Sequence, residues 1–264
     1  MEIHHPTSLA DGLAAVSAGA EPLAGGTDFM VEVNFGYREP EDVVALRRIE
    51  ELAEWEGKRI GSGVTWRRIE QKGPTALAQA ARTVGSPQIR NAATIGGNLG
   101  TASPAGDGHP FLAAVDASIE LASSAGTRSL RWDEFFTGVK QTAIDESELI
   151  TAVLLPDRLP ERQAFGKIGV RDAMVIATVC CCVTRDTDGD TRVALGSVAP
   201  TPMRARGAEQ MISSISDPDE SDLGEFQRLV SEEVSPITDH RSTAQYRRHS
   251  AGVLARRLLE RCLR

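Results

Sequence analysis

Two glycine-containing segments carry the residue types from which a phosphate site can be built. One is Leu23-Ala24-Gly25-Gly26-Thr27-Asp28, and the other is Thr94-Ile95-Gly96-Gly97-Asn98, running on to Ser103-Pro104-Ala105-Gly106-Asp107. Paired glycines permit positive φ, so successive N–H groups can turn toward one centre, and they lack the Cβ that would block close approach of a ligand. Thr27, Thr94 and Asn98 add side-chain donors beside those amides. Asp107 would repel a phosphate; its carboxylate suits the hydroxyls of a sugar or ribityl chain. Two such loops about seventy residues apart can grip a pyrophosphate from opposite sides. A single Gly-Gly beside a strand is ordinarily just a turn, but two of them, each accompanied by Thr and by Asp or Asn, bring a dinucleotide into consideration. No G-x-G-x-x-G follows a strand, since Gly61-Ser62-Gly63 lacks the third glycine, and no G-x-x-x-x-G-K-S/T occurs. A Rossmann or P-loop protein is therefore disfavoured.

The elements that must position these segments alternate irregularly. Ser8 and Asp11 form a possible capping box for a helix whose Leu9, Leu13 and Val16 share one face, with Gly19 as its stop. Strands are expected at 43–46 and 59–64, a short helix around 66–69, and a clear helix from Thr75 to Val84 ended by Gly85 and Pro87. From Pro110 the pattern is helix, strand, strand, helix, strand, the strands falling at 118–122, 128–132 and 149–155. Pro156 and Pro160 bracket a polar turn that is the best boundary. Beyond it, 174–184 and 191–198 read as a hairpin through Asp188-Gly189-Asp190, and helices cover 225–234 and 244–264, the latter with Tyr246, Val253, Leu254 and Leu258 inward. The fold class is α+β, without regular βαβ alternation.

Composition narrows the partners. With 264 residues the chain makes one large domain or two modest ones, and no run of 18 apolar residues occurs. The net charge of −8 argues against nucleic acid, whose binding leans on clustered Lys and Arg, but not against a single dinucleotide held by neutral amides. The N-terminus has no basic region followed by an apolar stretch, and the expected location is the cytoplasm. Cys180, Cys181 and Cys182 lie on a strand-like run, where neighbouring thiols point to opposite faces and cannot converge on one metal, so they read as small core residues. The five histidines form no metal constellation; His4, His5 and His109 are read as exposed loop residues, and the arginines at 247, 248, 256, 257, 261 and 264 as a solvated helix face.

In addition to the two glycine segments, Leu46-Arg47-Arg48-Ile49-Glu50-Glu51-Leu52, Gln88-Ile89-Arg90-Asn91-Ala92-Ala93, Gly196-Ser197-Val198-Ala199-Pro200-Thr201-Pro202 and the tail Asp239-His240-Arg241-Ser242 with Tyr246-Arg247-Arg248 run in order over nearly the whole chain. Together they resemble the FAD-binding (medium) subunit of the xanthine dehydrogenase and carbon monoxide dehydrogenase family of molybdenum hydroxylases. The resemblance implies a two-lobed FAD-binding fold of the vanillyl-alcohol oxidase and p-cresol methylhydroxylase type over residues 1–158, with lobes of about 1–52 and 53–158. A smaller C-terminal α+β domain, an antiparallel sheet with helices, would occupy 159–264.

The resemblance further implies non-covalent FAD. Its pyrophosphate would be wrapped by Leu23 to Asp28 and by Thr94, Ile95, Gly96, Gly97 and Asn98, with Ser103 and Asp107 as polar contacts. Val84 would lie near the adenine, where xanthine-type members carry an aromatic, and Ile150 and Lys167 would line the flavin site. Lys167 can be read as a cation at the flavin's pyrimidine edge or as a solvated lysine at a strand edge. After Arg171, where relatives are often acidic or aromatic, this chain has Ala173 and Met174. The implied role is electron relay with no catalytic residue and no metal ligand of its own. A large subunit would hold molybdopterin and hydroxylate the substrate, a small subunit would hold two 2Fe-2S clusters, and the assembly would be a dimer of heterotrimers. The acceptor stays open among oxygen, a nicotinamide and a quinone. The alternative is a self-sufficient FAD-dependent oxidase or reductase of the same fold, for which about 100 residues after Pro160 leave little room to build a substrate pocket.

Overall fold

The computed structural model describes residues 1–264. Three sheets follow one another. The first is parallel, its central strand Asp42–Ala45 flanked by Glu2–His4 and Glu21–Leu23. Parallel strands need a crossover, and the helix Leu9–Ser17 supplies it, capped by the Ser8 hydroxyl accepting from the Asp11 N–H at 3.2 Å. Leu13 and Val16 are buried as the periodicity expects, and Gly19 takes φ +100° just beyond the helix.

The second sheet is antiparallel in the order Trp55–Glu56, Arg59–Gly61, Leu149–Leu154, Ser118–Ser123, Gly126–Arg131. Helices Trp66–Lys72, Thr75–Thr83, Pro87–Ala92, Ile95–Thr101 and His109–Ala114 accompany it. A short hairpin of Phe136–Gly138 and Gln141–Thr142 precedes its central strand.

The third sheet pairs Arg162–Ile168, Val179–Arg185, Thr191–Gly196 and Met203–Arg204 antiparallel throughout, followed by helices Arg206–Ser213, Glu220–Glu233 and Ala244–Leu263. Strand alternation splits the cysteine triplet as expected. Cys181, with Val179 and Val183, packs among residues of the three C-terminal helices, whereas Cys180 and Cys182 join the core that contains Leu77, Phe111 and Phe165. Both faces of Val179–Arg185 are therefore covered, which is why its sequence is an unbroken apolar run. Burial pushes all three thiols well up, leaving them inert packing groups. One core is thus continuous across the turn at Pro156–Pro160. Asp116 adds a polar tie by accepting from Arg192 (2.6 Å), Arg204 (3.0 Å) and the Trp132 indole (3.1 Å).

Four expectations are corrected. The run from Met174 to Thr178 is not strand, because pairing begins only at Val179; Met174 has φ +47°, which no strand residue adopts. His109 is not an exposed loop residue but is buried on a helix. Leu258 is buried and Leu254 packs against the C-terminal core as expected, but Tyr246 is half-exposed, because the first turns face inward through Arg247, Ser250 and Ala251. Small residues there allow close approach, and a Cβ on Gly252 would lie 2.5 Å from the Gln227 carbonyl oxygen.

Arg247 is accordingly not solvated. It donates to the Thr178 carbonyl (2.8 Å), the Ser197 carbonyl (3.0 Å) and Asp239 Oδ1 (2.7 Å). Arg247→Met strands those acceptors, and unfolding by urea is expected to show a loss of about 2–4 kcal/mol.

Candidate flavin-binding site

The two glycine segments meet. Gly25 sits so close to the chain at 92–93 that a Cβ on it would lie 2.1 Å from the Ala92 carbonyl oxygen. Ala92 and Ala93 lead directly into Thr94, so the first segment rests on the approach to the second. Thr101 Oγ1 adds a bond to Asp28 Oδ2 at 3.2 Å. A cleft of about 990 Å³ opens over this seam, within the range of ligand pockets. Its lining includes Ala24, Gly25, Gly26, Thr27, Asp28, Val84, Thr94, Gly96, Gly97, Asn98, Ser103, Asp107, Ile150 and Lys167. Among the residues singled out from sequence, Leu23 ends its strand outside that lining, and Ile95 turns into the core.

The two segments differ in what they offer. In the first, the N–H groups of Gly25, Gly26, Thr27, Asp28 and Phe29 donate to no other group of the chain. Gly26 has φ +72°, and the helix Phe29–Asn34 begins immediately after. The second segment is not an open loop but a capped helix start. Ile95 and Gly96 donate to the Val64 and Ser62 carbonyls (3.0 and 2.8 Å), Asn98 to the Thr94 carbonyl (3.1 Å), and Gly97 to Thr94 Oγ1 (3.0 Å). Its amides are spent, and Thr94 is spent capping them. What it presents to the cleft is a surface without side chains at Gly96 and Gly97, beside the Asn98 side chain, which is bonded to nothing in the chain. Gly96 must be glycine for packing, since a Cβ would lie 2.5 Å from Ser62 Cβ.

Asp107 and Lys167 form a buried pair at 2.6 Å that joins the glycine-rich stretch to the first strand of the third sheet. Thr83 Oγ1 donates to the same oxygen at 3.3 Å, while Asp107 Oδ1, buried, has no partner. Lys167 is thus neither solvated nor free. Burial pushes the Asp107 carboxyl up to about 6, against the opposing pull of Lys167.

Behind it, the His109 ring packs on Phe136 with centroids 4.6 Å apart, its Nε2 is 3.3 Å from the Asn98 carbonyl oxygen, and its Nδ1 is unpartnered. Burial pushes His109 down to about 4, so it is neutral at neutral pH. The charged form is disfavoured on folding, so this contribution is complete above the unfolded value of 6.5 and is lost as the pH falls toward about 4. Asp107 works in the opposite sense over an overlapping window. Replacing His109 with Gln is expected to unmask it, with variant stability rising relative to wild type by up to about 3 kcal/mol between those pH values in urea titrations.

Sequence reasoning missed Ser62, Gly63 and Thr65, which also line the cleft. The Gly61-Ser62-Gly63 triplet fails as a nucleotide fingerprint for want of the third glycine. Its glycines instead let the backbone pack on Leu52, where a Cβ on Gly61 would lie 2.3 Å from the carbonyl oxygen, and its Ser62 carbonyl anchors Gly96. Met174, Val175 and Ile176, expected on a strand, form part of the wall.

Among the linings of the cleft are free amides without obstructing side chains, an orphaned carboxylate oxygen and a buried cation, and no cluster of His, Cys, Asp and Glu could hold a metal. No helix is long and apolar enough to cross a membrane. Residues 1–158 match the family model described as the FAD binding domain in molybdopterin dehydrogenase, and residues 164–262 that of the CO dehydrogenase flavoprotein C-terminal domain. The xanthine dehydrogenase FAD-binding subunit of Escherichia coli O157:H7 is 31% identical over 97% of this chain and 94% of its own length. The carbon monoxide dehydrogenase medium chain of Hydrogenophaga pseudoflava is 29% identical over 98% and 95% respectively. Among solved structures, reconstituted CO dehydrogenase from Oligotropha carboxidovorans matches with a TM-score of 0.92 at 28% identity, over 100% of this chain and 97% of that one. With both family models matched in order along its length, the chain belongs to the FAD-binding medium subunits of the xanthine dehydrogenase and carbon monoxide dehydrogenase family of oxidoreductases.

Proposed function

We propose that this chain binds one FAD non-covalently and serves as the electron-relay subunit of a heteromeric molybdenum hydroxylase. Its partners in this reading are a molybdopterin-bearing large subunit and a small subunit with 2Fe-2S clusters, assembled as a dimer of heterotrimers in the cytoplasm. The observation that carries the reading is the row of unpartnered amides at Gly25–Phe29 set beside the bare glycines at 96 and 97 in one cleft.

Those amides and the Thr27 hydroxyl donate to the diphosphate. Gly96 and Gly97 let it approach the backbone, while Asn98 and Ser103 add polar contacts. The orphaned Asp107 Oδ1 accepts from a ribityl or sugar hydroxyl, satisfying a buried atom that the chain itself leaves unpaired. Val84 covers the adenine end, and Ile150 and Lys167 line the ring. Lys167, charged and shielded from water, stabilises negative charge at the ring edge. When bound, FAD supplies one- and two-electron redox chemistry; the chain itself moves no substrate atoms. Residues 1–158 form the FAD-binding unit and 159–264 the C-terminal unit.

The test is purification of the chain alone and with its partner subunits. A yellow chain that releases intact FAD on denaturation, and turns over no organic substrate until the partners are added, is the expected result. Steady turnover of a substrate by the isolated chain would establish the self-sufficient flavoenzyme instead, and a colourless chain would overturn the reading.

A further inference from the structure

Ser197 adopts φ +65°, a left-handed conformation that strains a residue with a Cβ and that glycine would take freely. It stands directly after the strand Thr191–Gly196 and outside the lining of the cleft, so contact with a ligand there does not account for it. Its own polar groups do. The Ser197 N–H donates to the Pro104 carbonyl at 2.7 Å, its hydroxyl donates to the Ala177 carbonyl at 3.0 Å, and its carbonyl accepts from the Arg247 guanidinium at 3.0 Å. A glycine would relieve the backbone but lose the bond to Ala177. Strain kept at a position that could shed it points to a role for the side chain.

The three bonds end on the segments that hold the buried pair of Asp107 and Lys167. Pro104 belongs to the turn that presents Asp107, closed by the Gly106 N–H donating to the Ser103 carbonyl at 2.9 Å. Gly196 packs on the same place, where a Cβ would lie 3.3 Å from the Pro104 carbonyl oxygen. Ala177 is buried directly after the wall residues Met174, Val175 and Ile176. Arg247, fixed by Asp239 at 2.7 Å, also donates to the Thr178 carbonyl at 2.8 Å. The Thr178 N–H in turn donates to the Ile168 carbonyl at 2.8 Å, next to Lys167. One side of the pair is thus fastened through Pro104 and the other through Thr178, and Ser197 joins the two. The atoms it holds in Pro104 and Ala177 are backbone carbonyls, so moving Ser197 moves main chain that no side-chain rotation can restore.

We propose that Ser197 is a positioning residue for FAD. Through Pro104, Ala177 and Arg247 it fixes where the orphaned Asp107 Oδ1, the Lys167 ammonium and the 174–176 wall stand, so that cofactor affinity is set by the C-terminal unit as well as by the two glycine segments. The inference rests on the reading of the cleft as an FAD site. Ser197 itself touches no cofactor atom and acts only through the groups it holds. Its hydroxyl is the part a substitution can remove while leaving the other two bonds, both of which use the main chain.

The test uses the full chain, stripped of FAD and titrated with it, with the dissociation constant read from flavin fluorescence and the melting temperature from the apoprotein. Ser197→Ala and Ser197→Gly both lose the hydroxyl. Both are expected to bind FAD about tenfold more weakly, the equivalent of one hydrogen bond, and to alter the visible circular dichroism of the bound flavin. Their stabilities part, because glycine is unstrained at φ +65°, and Ser197→Gly melts above Ser197→Ala. Ser213→Ala removes a hydroxyl that accepts from the Thr191 N–H at 2.9 Å in the same unit but outside the cleft lining. It is expected to melt lower and to bind FAD as the wild type does. Affinity that follows melting temperature through the three variants, or that both Ser197 variants leave unchanged, overturns the positioning role while the FAD reading stands. A wild-type chain that takes up no FAD overturns the reading beneath, and the proposal with it.

Discussion

Gly25→Ala is expected to yield a folded chain that no longer retains FAD, its affinity lowered at least about 100-fold. The reason is local and rigid. The added methyl would sit 2.1 Å from the Ala92 carbonyl oxygen, 2.6 Å from its carbon and 2.8 Å from Ala93 Cα, all backbone atoms. No side-chain rotation relieves such an overlap, so the first segment must lift off the second by more than an ångström. Overpacking of this kind costs about 1–3 kcal/mol of stability, but its larger consequence is positional, because the free amides of Gly25–Phe29 are carried away from the bare wall at Gly96 and Gly97. Gly96→Ala acts on the same seam from the other side, by pushing Ser62 at 2.5 Å and breaking the bond from the Gly96 N–H to its carbonyl. Gly36→Ala is the control. Its φ of +70° makes the alanine strained by about 1 kcal/mol, yet nothing lies within 4 Å, so FAD content stays unchanged while the melting temperature drops slightly. Flavin-to-protein absorbance ratios after gel filtration, with titration of FAD into stripped protein, separate the three. Equal FAD retention in Gly25→Ala and Gly36→Ala would mean that the seam does not govern the site.

What the sequence made legible was what depends on the backbone alone. A glycine required by a close approach or a positive φ has no ready substitute, so the pairs holding Gly25 and Gly96, which approach other backbone, and Gly26, with φ +72°, stood out without any knowledge of their neighbours. Strand alternation likewise put Cys181 on the opposite face from Cys180 and Cys182, and only the structure shows that its side is the helical one.

What failed was whatever a distant partner decides. His109 and Arg247 look like surface residues until Phe136 covers one and the carbonyls of Thr178 and Ser197 meet the other. The helix Ile95–Thr101 holds three glycines and has poor intrinsic propensity. Its existence depends on the Thr94 cap and on pairing with residues 62–66, separated from it by about thirty positions. The strand Arg162–Ile168 was hidden by Gly166 and Lys167, which break the apolar alternation. Gly166 is there because Leu254 and Leu258 pack against it, with a Cβ only 2.9 Å from Leu254 Cδ1. Lys167 is there because Asp107 faces it. In both cases the residue that spoils the local pattern answers to a contact made from a distant part of the chain, a helix for Gly166 and the turn before His109 for Lys167.

Lys167→Met tests that last contact and is expected to cost about 3–5 kcal/mol at neutral pH, the penalty for leaving a buried carboxylate without its cation. In a domain pair of this size that corresponds to a fall in melting temperature of about 6–12 °C. The pH dependence identifies the mechanism. Burial already pushes the Asp107 carboxyl from 3.8 up to about 6, and Lys167 is the charge that opposes it. A raised folded value means that the contribution to stability is complete below 3.8 and is lost as the pH rises through about 6. Without Lys167 the folded value climbs further, so the loss, which still begins at 3.8, continues to a higher pH and reaches deeper. The deficit of Lys167→Met relative to wild type should therefore be largest above neutrality and shrink as Asp107 takes up a proton on acidification. His109, which titrates in the same region, is common to both proteins and cancels in the difference. Asp107→Asn combined with Lys167→Met removes the charge together with its partner, and should return to within about 1–2 kcal/mol of wild type at neutral pH, its own stability curve lacking the Asp107 loss between 3.8 and about 6. Melting curves of the three proteins across that range decide the matter. A Lys167→Met deficit that stays constant with pH would show that the carboxylate is not what the lysine is holding.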